Sequence, residues 1–180
     1  PCSLRLNWGK NISESILLDA QTIQSISKIE SLRKLEESII AEVIIDTGPI
    51  VAFFDESDRY CIPFRNFLKG FRGRLCTTLA VVTEASYLLD ECKPVQLDLM
   101  EWIKDGAIEI RDIGNSDFSL IHKYMTKYQD TPMDFADASL VILANKMKTD
   151  RILTLDSDFE VYRTASGKKF NNLLKEILKH

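Results

Sequence analysis

A handful of carboxylates in this chain occupy positions where the surrounding pattern asks for apolar side chains. Asp46 directly follows Val43-Ile44-Ile45, a β-branched run that reads as a buried strand. It therefore stands at a strand's carboxyl end, where open α/β sheets place their ligands. It reads equally as a cap for the helix opened by Thr47-Gly48-Pro49. Glu84 shares a helical stripe with Val81, Ala85 and Leu88, at i, i+3, i+4 and i+7 spacing. A charge on that inward stripe needs a partner or a metal, because desolvating a lone carboxylate is strongly unfavourable. Asp137 repeats the arrangement, on the face defined by Met133, Leu140 and Ala144. Asp134 lies one turn away, and Thr131-Pro132-Met133-Asp134 matches a capping box with Pro132 in the first helical position. Asp134 thus reads as a cap, a site residue or both. Asp156 follows a strand over residues 152–155, and Asp158 beyond it reads as a turn residue or a further acid.

Converging carboxylates without a neighbouring His or Cys suit hard cations, Mg²⁺ or Mn²⁺, which prefer oxygen ligands. Two such ions roughly 3.5–4 Å apart can activate a water and stabilise the leaving oxygen of a phosphodiester. Softer chemistry is poorly served. Cys2, Cys61, Cys76 and Cys92 form no C-x-x-C pair and read as reduced thiols, neither a zinc site nor a disulfide framework. His122 reads as a surface or satisfied core residue, and His180 ends the chain.

The elements that must position these acids divide the chain near residue 42. Residues 12–42 contain neither Pro nor Gly and carry Ile16, Ile23, Ile26, Ile29, Leu32, Leu35 and Ile39 at helical spacing. The first and last of these fall on opposite faces, so the spacing predicts two short amphipathic helices with a break over residues 25–27. They would pack on the main domain or on another copy, or serve as an oligomerisation arm or partner-like segment. Residues 1–42 are accordingly read as a helical extension and residues 43–180 as the main domain. In the latter, strands at 43–45, 75–76, 108–110 and 151–155 alternate with helices at 48–54, 57–68, 79–91, 94–104, 115–128 and 132–148. A terminal helix is expected over 170–178. This alternation implies an α/β domain with a mostly parallel central sheet.

Composition narrows the setting. Apolar residues make up 45% of 180, which suits a globular domain with a core, and no run approaches the roughly 20 residues of a membrane span. No basic-then-apolar leader pattern opens the chain, so a cytoplasmic protein is expected. The net charge of −4 argues mildly against binding nucleic acid through one large basic field. Local acids that bind divalent ions can nevertheless accept phosphate, because the ions reverse the local sign.

Four short blocks, in order, resemble the PIN domain family, and more narrowly the VapC-type toxins of bacteria and archaea. They are Val43-Ile44-Ile45-Asp46-Thr47-Gly48-Pro49, Thr78-Leu79-Ala80-Val81-Val82-Thr83-Glu84, Pro132-Met133-Asp134-Phe135-Ala136-Asp137-Ala138 and Thr154-Leu155-Asp156-Ser157-Asp158-Phe159. The resemblance implies a Rossmann-like three-layer α/β/α fold and divalent-metal-dependent endonuclease activity on RNA. It further implies a homodimer and a co-expressed antitoxin partner. On this likeness Asp46, Glu84, Asp137 and Asp156 would be catalytic metal ligands, with Asp134 an additional ligand, and Thr47, Thr154 and Asp158 in support. Arg72, Arg74, Arg163 and Lys168 are the candidate phosphate contacts, each equally readable as a solvated charge. The forty or so residues before Asp46 depart from stand-alone toxins of this type, which usually begin almost at the first acid. A PIN-fold module that binds RNA or protein without cutting is the competing reading. A phosphoaspartyl or receiver domain would need an Asp-x-Asp start or a strand-end Lys, and the sequence offers neither.

Overall fold

A computed structural model describes residues 41–131 and 133–175 of the chain. Of the helical extension expected over residues 1–42, residues 1–40 lie outside the described residues, and Glu42 already belongs to the first strand. Strands β1 (Glu42–Ile45), β2 (Arg74–Thr78), β3 (Ile108–Arg111), β4 (Arg151–Leu153) and β5 (Asn171–Asn172) form one sheet in the order β3-β2-β1-β4-β5. Every neighbouring pair is parallel, with Ile44 opposite both Cys76 and Ile152. Val43, Ile44 and Ile45 are buried in succession, so both faces of the central strand are covered, as a parallel sheet between two helical layers demands.

Six α-helices complete the described fold: α1 (Thr47–Phe54), α2 (Cys61–Gly70), α3 (Leu79–Leu88), α4 (Lys93–Lys104), α5 (Phe118–Lys127) and α6 (Phe135–Met147). Helix α6 is buried along Ala138 to Ala144 without interruption, which explains why its sequence is apolar on nearly every side. It packs against β1 and β2, with α5 laid on its outer face and α3 beside it. A buried hydroxyl pair, Thr78 with Ser139 at 2.7 Å, joins the start of α3 to α6. The strand order reverses between β1 and β4, and at that reversal the carboxyl ends of parallel strands leave a crevice. Asp46 and Thr154 stand on its two sides, and the Asp46 N–H bonds the Leu153 carbonyl at 3.0 Å.

Several expected elements differ from those observed, among them the strand expected over 151–155, which ends at Leu153, and the helix expected over 79–91, which ends at Leu88. The helix expected from residue 57 begins at Cys61, because Asp55 and Asp58 accept hydrogen bonds from the N–H groups of Ser57 and Tyr60 and fold the preceding residues into turns. The helix expected over 115–128 opens with a separate 3₁₀ turn, Asn115–Asp117. That expected from Pro132 begins at Phe135, since Asp134 rather than Thr131 is its cap. Where a terminal helix was expected from Phe170, the chain instead adds β5 to the edge of the sheet. Asn172 explains the change. Its amide donates to the Thr154 carbonyl at 2.9 Å while its oxygen accepts from Leu174 N at 3.0 Å.

Candidate active site

Asp46 is 6% exposed and both of its oxygens are engaged. Oδ1 accepts from Thr47 N at 2.7 Å, capping α1, and Oδ2 accepts from the Thr154 hydroxyl at 2.6 Å. The cap reading of the sequence is therefore correct, and it does not exhaust what the residue touches. The Thr154 hydroxyl in turn accepts from Asp156 N at 2.9 Å, and Asp156 Oδ1 accepts from Asp158 N at 2.9 Å, closing the 3₁₀ turn Ser157–Glu160. Across the crevice the Thr47 hydroxyl donates to Glu84 Oε2 at 2.7 Å. Two threonines thus tie acids from β1, α3 and the β4 end into one network. Gly48 packs closely beside it: a Cβ there would stand 3.2 Å from that of Leu155, which would have to shift by a few tenths of an ångström.

Asp137 enters from α6, half-buried, and accepts from the Tyr162 hydroxyl at 3.2 Å. Asp134 caps the same helix by accepting from Asp137 N at 2.8 Å, and also faces the crevice. The result is a cleft of about 470 Å³ lined by Asp46, Thr47, Glu84, Asp134, Asp137, Asp156 and Asp158, with Gly48, Val51, Leu88 and Leu155 between them. Asp58, from the turn before α2, joins the same lining. Nothing in its local pattern marked it, since its Asx-turn role accounts for it fully. Leu88, expected on the buried stripe of α3, is 53% exposed and forms part of the cleft rim, whereas Val81 and Ala85 are buried as expected.

No Lys or Arg lines this cleft among the described residues. The electrostatic consequence falls on the two most enclosed acids. Burial pushes Asp46 up to about 6 against the opposing bonds from Thr154 and Thr47, with the Asp156 and Glu84 carboxylates adding to the rise. Burial pushes Asp137 up to about 7, reinforced by the Asp134 and Asp46 carboxylates and opposed by Tyr162. Donors that are all oxygen, crowded and without a counter-cation suit a hard divalent ion, which would relieve both the desolvation and the repulsion.

The four basic candidates stand elsewhere. Arg74 opens β2, at the amino end of the sheet, where it meets Glu42 and Glu109 at 3.8 and 3.9 Å. Arg72, just before it, donates to the Lys69 and Phe71 carbonyls. Arg163 turns back on the carbonyls of Glu160, Val161 and Tyr162. Lys168 lines a separate hollow with residues 148–150, which precede β4. A neighbouring hollow carries a cation that the pattern did not single out. Lys175 and Tyr60 line this hollow, which shares Leu155 and Asp156 with the cleft, and the Arg59 guanidinium lies 4.5 Å from the Tyr60 ring centre. Cys61, Cys76 and Cys92 are free thiols, and His122 is exposed.

The PIN domain family profile matches residues 43–164, from the first strand through the turn that carries Asp156 and Asp158. The chain belongs to the PIN domain family, whose Rossmann-like α/β sheet is the one described above. In sequence it is similar to Ribonuclease VapC26 of Mycobacterium tuberculosis (strain ATCC 25618 / H37Rv), with 30% identity over 131 residues, or 71% of this chain and 97% of that protein. In structure it is similar to Mycobacterium tuberculosis VapC20, described as a Sarcin-Ricin loop cleaving toxin. The TM-score is 0.62, with 14% identity, over 66% of this chain and 93% of that one. The second likeness is one of fold.

Proposed function

We propose that this chain is a divalent-metal-dependent endoribonuclease of the VapC type, with residues 43–180 as the nuclease domain and residues 1–42 as a separate extension. The observation that carries this reading is the cleft at the strand-order reversal, where carboxylates from β1, α3, α6 and the β4 end converge with no Lys or Arg among the described residues in the lining. The likeness to a protein named a ribonuclease supplies the substrate class, RNA. A module that merely bound RNA would gain from cations in this cleft and would be repelled by these acids.

Asp46, Glu84, Asp137 and Asp156 would hold Mg²⁺ or Mn²⁺, with Asp134 as a further ligand and Asp158 in support. When bound, such ions polarise the phosphodiester and lower the pKa of an attacking water. The protein's own part is to hold its carboxylates still. Thr154 orients Asp46, and through its bond from Asp156 N it fixes that turn. Thr47 presents Glu84 from the facing helix. Lys175, in the hollow that shares Asp156 with the cleft, would contact flanking phosphates. Among the described residues no helix is long and apolar enough to cross a membrane. By the same family likeness we expect a homodimer and an antitoxin partner.

The test is cleavage of RNA in Mg²⁺ or Mn²⁺ by wild type, Asp46→Asn and Glu84→Gln, with EDTA as control. The proposal expects metal-dependent internal cleavage by wild type alone. Equal cleavage by the variants, or cleavage unaffected by EDTA, would overturn it.

A further inference from the structure

Tyr162 is completely buried, yet it ends in a hydroxyl whose bond is to an acid of the cleft. The ring is held edge-on by Tyr128 at 5.1 Å and Phe159 at 5.2 Å, and Phe159 is braced in turn by Phe170 at 5.4 Å. The backbone is fixed as well, since Tyr162 N donates to the Asp158 carbonyl at 3.1 Å. Tyr162 is therefore an extension of the turn that carries Asp156 and Asp158. From there its hydroxyl crosses to Asp137 Oδ2 on α6, at 3.2 Å. A buried phenol must find a partner, and Oδ2 is the one it has. Asp137 Oδ1 accepts no hydrogen bond from any described residue.

We propose that Tyr162 is a positioning residue for the metal site. It pins one oxygen of Asp137, fixes the rotation of the carboxylate, and couples Asp137 rigidly to the Asp156–Asp158 turn, leaving Oδ1 for the ion. This role rests on the metal-dependent reading given above. A rigid aromatic anchor suits the purpose, because a ligand held by a second residue loses less freedom when the ion binds. Thr47 and Thr154 do the same for Glu84 and Asp46, so three of the four acids would be held by a hydroxyl from a different element.

The test uses Tyr162→Phe, which keeps the ring and its aromatic neighbours and removes only the hydroxyl. Tyr128→Phe is the control, altering the same aromatic cluster without touching an acid. Binding of Mn²⁺ to metal-free full-length protein is followed by the loss of the free-ion electron paramagnetic resonance signal, with denaturant unfolding in EDTA measured in parallel. The expected result is a loss of Mn²⁺ affinity of about 10–100-fold in Tyr162→Phe, with Tyr128→Phe equal to wild type. Cleavage by Tyr162→Phe should recover towards wild type as Mn²⁺ is raised. Affinity within twofold of wild type in Tyr162→Phe would overturn the positioning role, as would an equal loss in Tyr128→Phe. If wild type itself binds no Mn²⁺ and Asp46→Asn cuts RNA normally, the nuclease site is wrong and this role falls with it.

Discussion

Two groups of acids in this molecule invite comparison. Glu42, Cys76 and Glu109 lie together on the sheet face of β1, β2 and β3, with ligand atoms all within 4.8 Å of one another. Among the described residues they are the only three potential ligands so closely spaced; the cleft acids are spread more widely. On the function proposed above, spacing alone would choose the wrong group. The Arg111 guanidinium sits 2.9 Å from Glu42 and 3.0 Å from Glu109, and Arg74 stands beside both, so the sheet-face acids already have their cations. Burial holds the Cys76 thiol above its ordinary pKa and so against the thiolate a metal would need. The cleft acids have hydroxyls and each other, and no Lys or Arg among the described residues lines their cleft. What marks a metal site in a chain of carboxylates is charge left uncompensated, rather than the closest approach.

The largest effect that would break this contrast is on cleavage. Asp46→Asn should lower RNA cleavage by at least about 100-fold, as expected for loss of a group that stabilises transition-state charge. Glu42→Gln should leave it within about twofold. Comparable losses in the two variants would erase the distinction between the acid groups.

The next effect is on stability and its pH dependence. Asp46 at about 6 and Asp137 at about 7 both lie above the 3.8 of an ordinary Asp. The folded state therefore holds these protons more tightly than the unfolded state does. The stability this contributes is fully present below about pH 4 and is lost as pH rises through 6 and 7. Metal-free wild type should accordingly unfold at lower denaturant at pH 8 than Asp137→Asn does, with the gap closing towards pH 5. Mn²⁺ should raise the melting temperature of wild type, by an amount equivalent to about 2.7 kcal/mol at 100 times its Kd, and should not do so in Asp46→Asn. A gap independent of pH, or a metal-free Asp137→Asn less stable than wild type at pH 8, would assign Asp137 to the fold and not to an ion.

The smallest effect belongs to the sheet face. Its ion pairs are about one-third exposed, with Glu42 at 35% and Arg111 at 36%. Glu109→Gln should therefore cost no more than about 1 kcal/mol and become less costly in high salt. A larger loss, measured by urea unfolding at low salt, would make that cluster a structural keystone.

Much of the site could be read from the sequence because its signals are local. Asp46 is legible from three apolar residues before it, and Asp137 from its spacing to Leu140 and Ala144 along the helix, although Met133, counted on the same face, precedes the helix start at Phe135. Glu84 was legible for the same reason, although the stripe that exposed it wrongly included Leu88, at the end of α3 where the helix runs out over the cleft. Partners distant in sequence were not legible. Arg74 looked like a phosphate contact until the parallel register placed it against Glu42. Asn172 looked helical among Phe170, Leu173 and Leu174, and only the sheet shows its amide clasping Thr154. Tyr162 carried no local signal, because its bond to Asp137 spans 25 residues.

The central claim, that the uncompensated cleft holds the catalytic ions and the sheet-face cluster does not, is tested most directly by anomalous diffraction from crystals soaked in Mn²⁺. The account predicts anomalous density between Asp46, Asp137 and their neighbours and none between Glu42, Cys76 and Glu109. Density at the sheet-face cluster with an empty cleft would contradict it.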